Sequence, residues 1–208
     1  MARMPAAERR EQLLDTAAEL FSKHGFARAT TAQLAKAAGV TEPIIYRHFK
    51  SKRELFIALI ERTGRQTLEQ WSEDLKDSTD PADRLRRLIG DNPMVSRQGR
   101  AAYRVFLQAI SEVEDEGIRG AVIAHIETVK DFVKDELERA QKAGRVSKRF
   151  SAEVLAWVLV NTGMGYGALS AMGIEAPGRD KDGVHVRDVL AVALIGRRGE
   201  DPNARKRT

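Results

Sequence analysis

Cysteine is absent from the 208-residue chain, which excludes disulfides and thiolate chemistry. No apolar run reaches the roughly 18 residues that a membrane-spanning helix needs. The N-terminal stretch MARMPAAERREQLL lacks the apolar core of a signal peptide. A cytoplasmic location and no membrane partner are therefore expected. Alternating strand-like patterns are missing, and so is any internal repeat. Catalytic signatures are missing too: there is no G-x-S-x-G, no H-E-x-x-H and no phosphate-cradling glycine loop. The run GMGYG at Gly163–Gly167 sits inside a helical pattern with no strand before it. His125 and His185 have no ligand-like companion four residues on, so no metal site is expected. Neither a cofactor nor an enzyme activity is expected.

Charge is present, and it is unevenly placed. The net charge is +5, yet residues 1–53 carry ten Lys/Arg against five Asp/Glu. Residues 197–208 carry five against two, and the long middle is mildly acidic. A basic N-terminal segment points to an anionic partner or to a solvated surface. The acidic stretches of the first helix, Glu8, Glu11, Asp15 and Glu19, argue against a membrane surface. The cluster EVEDEG, Glu112–Gly117, reads as a solvated turn.

Apolar residues recur at three- and four-residue steps along nearly the whole chain, which predicts an all-α fold. Leu13, Leu14, Ala17, Ala18, Leu20 and Phe21 form one stripe, ended by Gly25. Thr30 and Gln33 form a capping box for a short second helix, closed by Gly39. Thr41 caps a third, with Pro43 in its first turn. Ser51 and Glu54 make another capping box, opening a long helix to about residue 77. Further helices are predicted over about 82–90, 100–112, 118–143, 152–172 and 186–195. The stretch 179–185 reads as a polar loop. The tail has no apolar stripe and is expected to be disordered.

Two short helices joined by a glycine-containing turn describe a helix-turn-helix. Leu34, Ala35, Val40, Ile45 and Phe49 form its inward face. Pro43, Ile44 and Arg47 share the outer face of the third helix, with Tyr46 and His48 beside it. In such a motif the second helix of the pair enters the DNA major groove. The segment FSKHGFARATTAQLAKAAGVTEPIIYRHFKSKRELF resembles the DNA-binding domain of TetR-type transcriptional regulators. The resemblance is carried by G-F-x-x-x-T-T at Gly25–Thr31, A-x-x-x-G-V-T at Ala35–Thr41, and I-Y-x-H-F-x-S-K-x-x-L at Ile45–Leu55.

The resemblance implies an N-terminal three-helix domain over 7–67, joined by a long helix to a ligand-binding and dimerisation bundle over 68–197, with a basic tail over 198–208. It places Thr30, Thr41, Tyr46, His48 and Lys52 where the family contacts phosphates. It places Thr31, Glu42, Pro43, Ile44 and Arg47 where bases are read. Tyr46 and His48 have a plainer reading as half-buried packing. Glu42 either accepts from a cytosine amino group or lies idle, because phosphates repel it. The implied function is repression from a palindromic operator on double-stranded DNA, relieved by a small, mostly apolar effector. An effector-independent DNA-binding protein, activating or architectural, is the alternative. Tyr103, Phe106, Leu107, Phe132, Trp157, Asn161, Met164 and Tyr166 lie on helices that enclose the family's pocket, although each also suits an ordinary core. Ala156, Gly163, Gly167 and Ala171 make a smooth face, read as a homodimer interface with Val189 and Val192, or else as packing within the chain.

Overall fold

The structure, a computed structural model, describes residues 4–90, 97–174 and 178–195, with backbone alone over 97–103. The predicted basic tail lies outside the described residues. Nine helices and no strand occur among them: α1 (Ala6–His24), α2 (Thr31–Ala38), α3 (Glu42–His48), α4 (Lys52–Leu75), α5 (Pro81–Gly90), α6 (Arg97–Ser111), α7 (Glu116–Lys142), α8 (Ala152–Ala171) and α9 (Val186–Ile195).

The local signals set the helix ends. Thr30 accepts from the Gln33 N–H at 3.2 Å, and Gln33 accepts from the Thr30 N–H at 3.0 Å. This reciprocal box opens α2. Its loss in a Thr30→Ala variant removes about 1 kcal/mol. At the other end Val40 N–H donates to Ala35 C=O and Gly39 N–H to Lys36 C=O, the pairing that turns the chain out of a helix. Gly39 reaches it at φ 66°, a left-handed value that favours glycine. Thr41 precedes α3, but its side chain makes no capping bond. Ser51 accepts from Glu54 N–H at 3.1 Å, while Glu54 reaches one residue further back than expected, to Lys50 N–H at 2.8 Å.

The chain divides into two compact units, each with its own core. The first comprises Met1–Arg65 and Ala101–His125. Residues 101–125 thus group with the N-terminal helices although they follow them by some distance in sequence. Leu13, Leu14, Phe21, Leu34, Ile45, Phe49, Leu55, Phe56 and Leu59 are fully buried there. Phe21, Phe26 and Phe56 form an aromatic trio, with Phe26 stacked on Phe56 at 4.1 Å and Phe21 edge-on to both. Arg62 is buried and held by Asp15 at 2.8 Å and Glu11 at 3.2 Å.

His125 is also buried in this unit, against the Phe106 ring at 4.9 Å. Its Nδ1 has no hydrogen-bond partner among the described residues. It approaches Gly64 so closely that a Cβ there would lie 2.6 Å from Nδ1, so any larger residue at 64 must displace the ring. Burial holds the imidazole pKa below its ordinary 6.5. The unfolded chain therefore takes up a proton, as pH falls through about 6.5, that the folded chain resists. Stability is at its plateau above that pH and declines below it. Thermal melts between pH 8 and 5 should show a steeper decline for wild type than for His125→Leu. The flattening is partial, because burial and Arg187 push His185 the same way.

The second unit comprises Gln66–Arg100 and Ile126–Thr208. Its core gathers Trp71, Leu75, Leu85, Val133, Leu137, Leu155, Ala156, Val160 and Ile195. Arg84 binds Glu136 in a two-bond fork, 2.6 Å and 2.7 Å, and donates to Leu75 C=O and Ser78 C=O at the end of α4. Ser151 caps α8 by accepting from Val154 N–H. Lys130 ties α7 to the start of α8 through Glu153. The 179–185 loop closes with a bridge between Arg179 and His185.

By length and composition α8 is apolar enough to cross a membrane, although the sequence showed no unbroken apolar run. One side of it packs in the second unit's core, as a core helix does.

Candidate nucleic-acid interface

The inward face of α3 is fixed first. Ile45 and Phe49 are 1% exposed, α3 packs against α2, and Leu34 and Ala35 of α2 are themselves nearly fully buried. That packing supports a helix of seven residues, too short to stand alone in water. With one face so anchored, the opposite face is presented outward. Thr41, Pro43, Tyr46 and Arg47 are exposed, and Glu42, Ile44 and His48 are half-buried. Arg47 makes no ion pair or hydrogen bond among the described residues, so its guanidinium is available to a phosphate or a guanine edge.

The hydroxyls are engaged with one another. Thr31 Oγ1 donates to Glu42 Oε2 at 2.7 Å and lies 3.3 Å from the Tyr46 hydroxyl. Thr30 is exposed at the start of α2, and its oxygen is already accepting the capping bond; its O–H remains a donor that a phosphate oxygen can accept.

Lys52, expected to contact a phosphate, is held by backbone carbonyls here. Its ammonium donates to Phe26 C=O at 2.9 Å, Ala29 C=O at 3.0 Å and Ala27 C=O at 3.3 Å, and sits 4.5 Å over the Phe26 ring. An ammonium has three N–H donors, and three carbonyls occupy them. Lys52 therefore shapes the loop that delivers Thr30 and Thr31, and its remaining contribution to a phosphate is field rather than hydrogen bonding.

Two latches within the first unit escaped the sequence reading. Gln108 of α6 donates to Phe21 C=O at 2.9 Å and accepts from Phe26 N–H at 3.0 Å, clasping both sides of Gly25. Nothing in its local pattern marks it, because its partners lie more than 80 residues away. Asp115 accepts from Gly117 N–H and Ile118 N–H to start α7, and its other oxygen binds Arg53 at 2.5 Å. The Arg53 guanidinium and those backbone bonds hold its carboxyl down at about 2. The solvated acidic turn is thus an N-cap and a latch; an Asp two residues before Gly-Ile was a readable capping signal.

The remaining candidates separate. Phe106 is buried and Leu107 half-buried in the first unit; Tyr103 lies on α6 with its side chain outside the described residues. Phe132, Trp157, Met164 and Tyr166 are half-buried in the second unit. Asn161 is exposed on the outer face of α8, so it does not line that unit's interior. On the smooth face of α8, burial favours the reading as packing within the chain. Ala156 is 0% exposed and lies in the core, Gly167 is buried, and Gly163 and Ala171 are half-buried along the same side. Those small residues let α8 approach its own chain. The unpaired apolar surface is the opposite side, Val154, Val158, Leu169 and Met172, together with Val186, Val189 and Val192 of α9. Steps of four, eleven and three residues keep the α8 set on one face.

A helix-turn-helix with an anchored second helix, a free arginine and polar edges defines a DNA-binding module. The sequence pattern of "Bacterial regulatory proteins, tetR family" matches residues 13–59. Nucleoid occlusion factor SlmA of Marinobacter nauticus is 44% identical over 133 residues, 64% of this chain and 68% of that protein. The transcriptional activator FasR of Mycolicibacterium smegmatis is 38% identical over 87 residues, 42% of this chain but only 40% of FasR. A transcriptional regulator from Saccharomonospora viridis, solved with choline, shares the fold with a TM-score of 0.75 at 21% identity, covering 90% of this chain and 94% of that one. The chain belongs to the tetR family, whose members are DNA-binding transcriptional regulators.

Proposed function

We propose that the protein acts as a homodimeric repressor that holds a palindromic operator and is released by a small, mostly apolar effector. The observation that carries the reading is the outward face of α3, with Pro43, Ile44, Tyr46 and Arg47 presented and the inward face locked. Thr30, Thr41, His48 and the backbone around them face phosphates; Thr31, Glu42, Pro43, Ile44 and Arg47 stand toward bases. Dimerisation is supported by the apolar face of α8 and α9, since soluble monomers rarely leave a large contiguous apolar patch uncovered. A two-fold dimer doubles the base contacts and requires an inverted repeat. A DNA partner places the protein in the cytoplasm.

The effector reading rests on the second unit. Trp71 is buried against Phe132 at 5.6 Å, and its indole N–H has no hydrogen-bond partner among the described residues. Phe132, Trp157 and Met164 pack against that core as half-buried groups, and Tyr166 is half-buried further along α8 beside His185. Such a set suits an apolar ligand with one accepting oxygen. Release requires the ligand to bind the DNA-free state more tightly than the DNA-bound one. The S. viridis relative solved with choline supports a small-molecule partner. No catalytic step is proposed.

The test is selection from random duplex DNA at near-physiological salt, followed by operator titration with compounds that raise the melting temperature. An enriched inverted repeat whose affinity drops with a stabilising compound supports the repressor. The relatives SlmA, named for nucleoid occlusion, and FasR, named as an activator, favour the second reading, an effector-independent DNA-binding protein. It gains if the repeat is enriched and no stabilising compound changes operator affinity.

A further inference from the structure

A carboxylate on the DNA-facing helix is a liability beside phosphates, and a long flexible one would swing away. Glu42 is prevented from doing so. Thr31 Oγ1–H donates to its Oε2 at 2.7 Å. Thr31 has a single hydroxyl proton, and an ionised carboxylate has none to offer. The 3.3 Å contact between Thr31 and Tyr46 is therefore a bond donated by Tyr46. The protons run in one direction, from Tyr46 to Thr31 to Glu42. Two helices thus cooperate to hold one carboxylate still. Its second oxygen, Oε1, has no partner among the described residues, and no cation pairs with it there.

We propose that Glu42 selects cytosine at one position of each operator half-site, with Oε1 accepting from the N4 amino group, and that Thr31 is its positioning residue. The proposal rests on the reading above, in which α3 enters the major groove. Only cytosine N4 and adenine N6 offer N–H donors there. Adenine sets the N7 acceptor beside its amine, and a carboxylate whose other oxygen is already bonded to Thr31 has no donor to meet it. Guanine O6 and N7 and thymine O4 are acceptors and repel the group. Cytosine places only carbon-bound hydrogen beside its amine. The Thr31 bond adds to this by fixing the carboxylate before DNA arrives, so less ordering is needed on binding.

The experiment is the same duplex selection performed in parallel with wild type, Glu42→Gln and Thr31→Val, each confirmed folded by circular dichroism. Wild type should enrich a two-fold repeat in which cytosine leads at one position per half-site by about tenfold. Glu42→Gln should move that position, and no other, to adenine, because an amide can accept from N6 and donate to N7 together. Thr31→Val should keep cytosine with its lead cut severalfold. An unchanged motif from Glu42→Gln, with or without uniformly weaker binding, overturns the assignment. An undiminished cytosine lead in Thr31→Val overturns the positioning role alone. If wild type enriches no motif, the sequence-reading function itself falls, and this assignment with it.

Discussion

Replacing Glu136 by alanine is expected to destabilise the protein by about 3–5 kcal/mol, read as a fall in the urea midpoint at fixed protein concentration. The Glu136 side chain is 4% exposed and Arg84 16%. Two parallel bonds of 2.6 Å and 2.7 Å join them, the fork geometry that gives arginine–carboxylate pairs their strength. Truncating the glutamate leaves the guanidinium in a site built for a counter-charge. Arg139, at 3.0 Å from the same carboxylate, is largely solvated and cannot compensate. Arg84→Ala should cost as much, because it strips Glu136 and also orphans the carbonyls of Leu75 and Ser78.

The paired replacement Arg84→Met with Glu136→Leu separates charge from packing. Apolar pairs of similar volume often substitute for buried ion pairs at little cost. Here the exchange is not free, because Arg84 also closes the end of α4. Each carbonyl left without a donor costs about 1–3 kcal/mol if water cannot reach it. The double variant is therefore expected between wild type and either single variant. A Glu136→Ala loss below about 1 kcal/mol would show the pair to be effectively solvated.

How much of this was legible in the sequence follows from the range of each signal. Thr30–Gln33, Gly39 and Ser151 act within four residues, and each placed a helix end correctly. The inward face of the helix-turn-helix came from a three- to four-residue period, again a local property. The carbonyl contacts of Lys52 were not legible, because the carbonyls of residues 26, 27 and 29 lie over 20 residues back and carry no side-chain signature. The α8 stripe left two readings open for another reason. Small residues at four-residue spacing report close approach of another backbone, and the same pattern fits a partner subunit or the chain's own core. Exposure decides between them. The apolar face left in solvent carries valine, leucine and methionine, which as residue types look like core.

That exposed face yields the prediction with the largest effect on function. Leu169→Glu and Val189→Glu each place a charge on it, at positions 42% and 59% exposed in the single chain. A folded monomer tolerates a surface carboxylate there, so far-ultraviolet circular dichroism should be unchanged. A dimer that buries these residues cannot tolerate it without a partner cation. Sedimentation should show wild type as a dimer and either variant as a monomer at micromolar concentration. Operator affinity should then fall by about 10²–10⁴-fold, the usual gain from joining two binding modules on one ligand. A second readout guards against a trivial cause. The dependence of log K on log salt counts phosphates neutralised, so a monomer on one half-site should show about half the wild-type slope. Loss of affinity at an unchanged slope would mean damage to the DNA-binding face, not to dimerisation. A variant that stays dimeric and binds normally would remove α8 and α9 as the interface. The apolar surface would then belong to some other partner, and the two-fold symmetry of the operator would need a different origin.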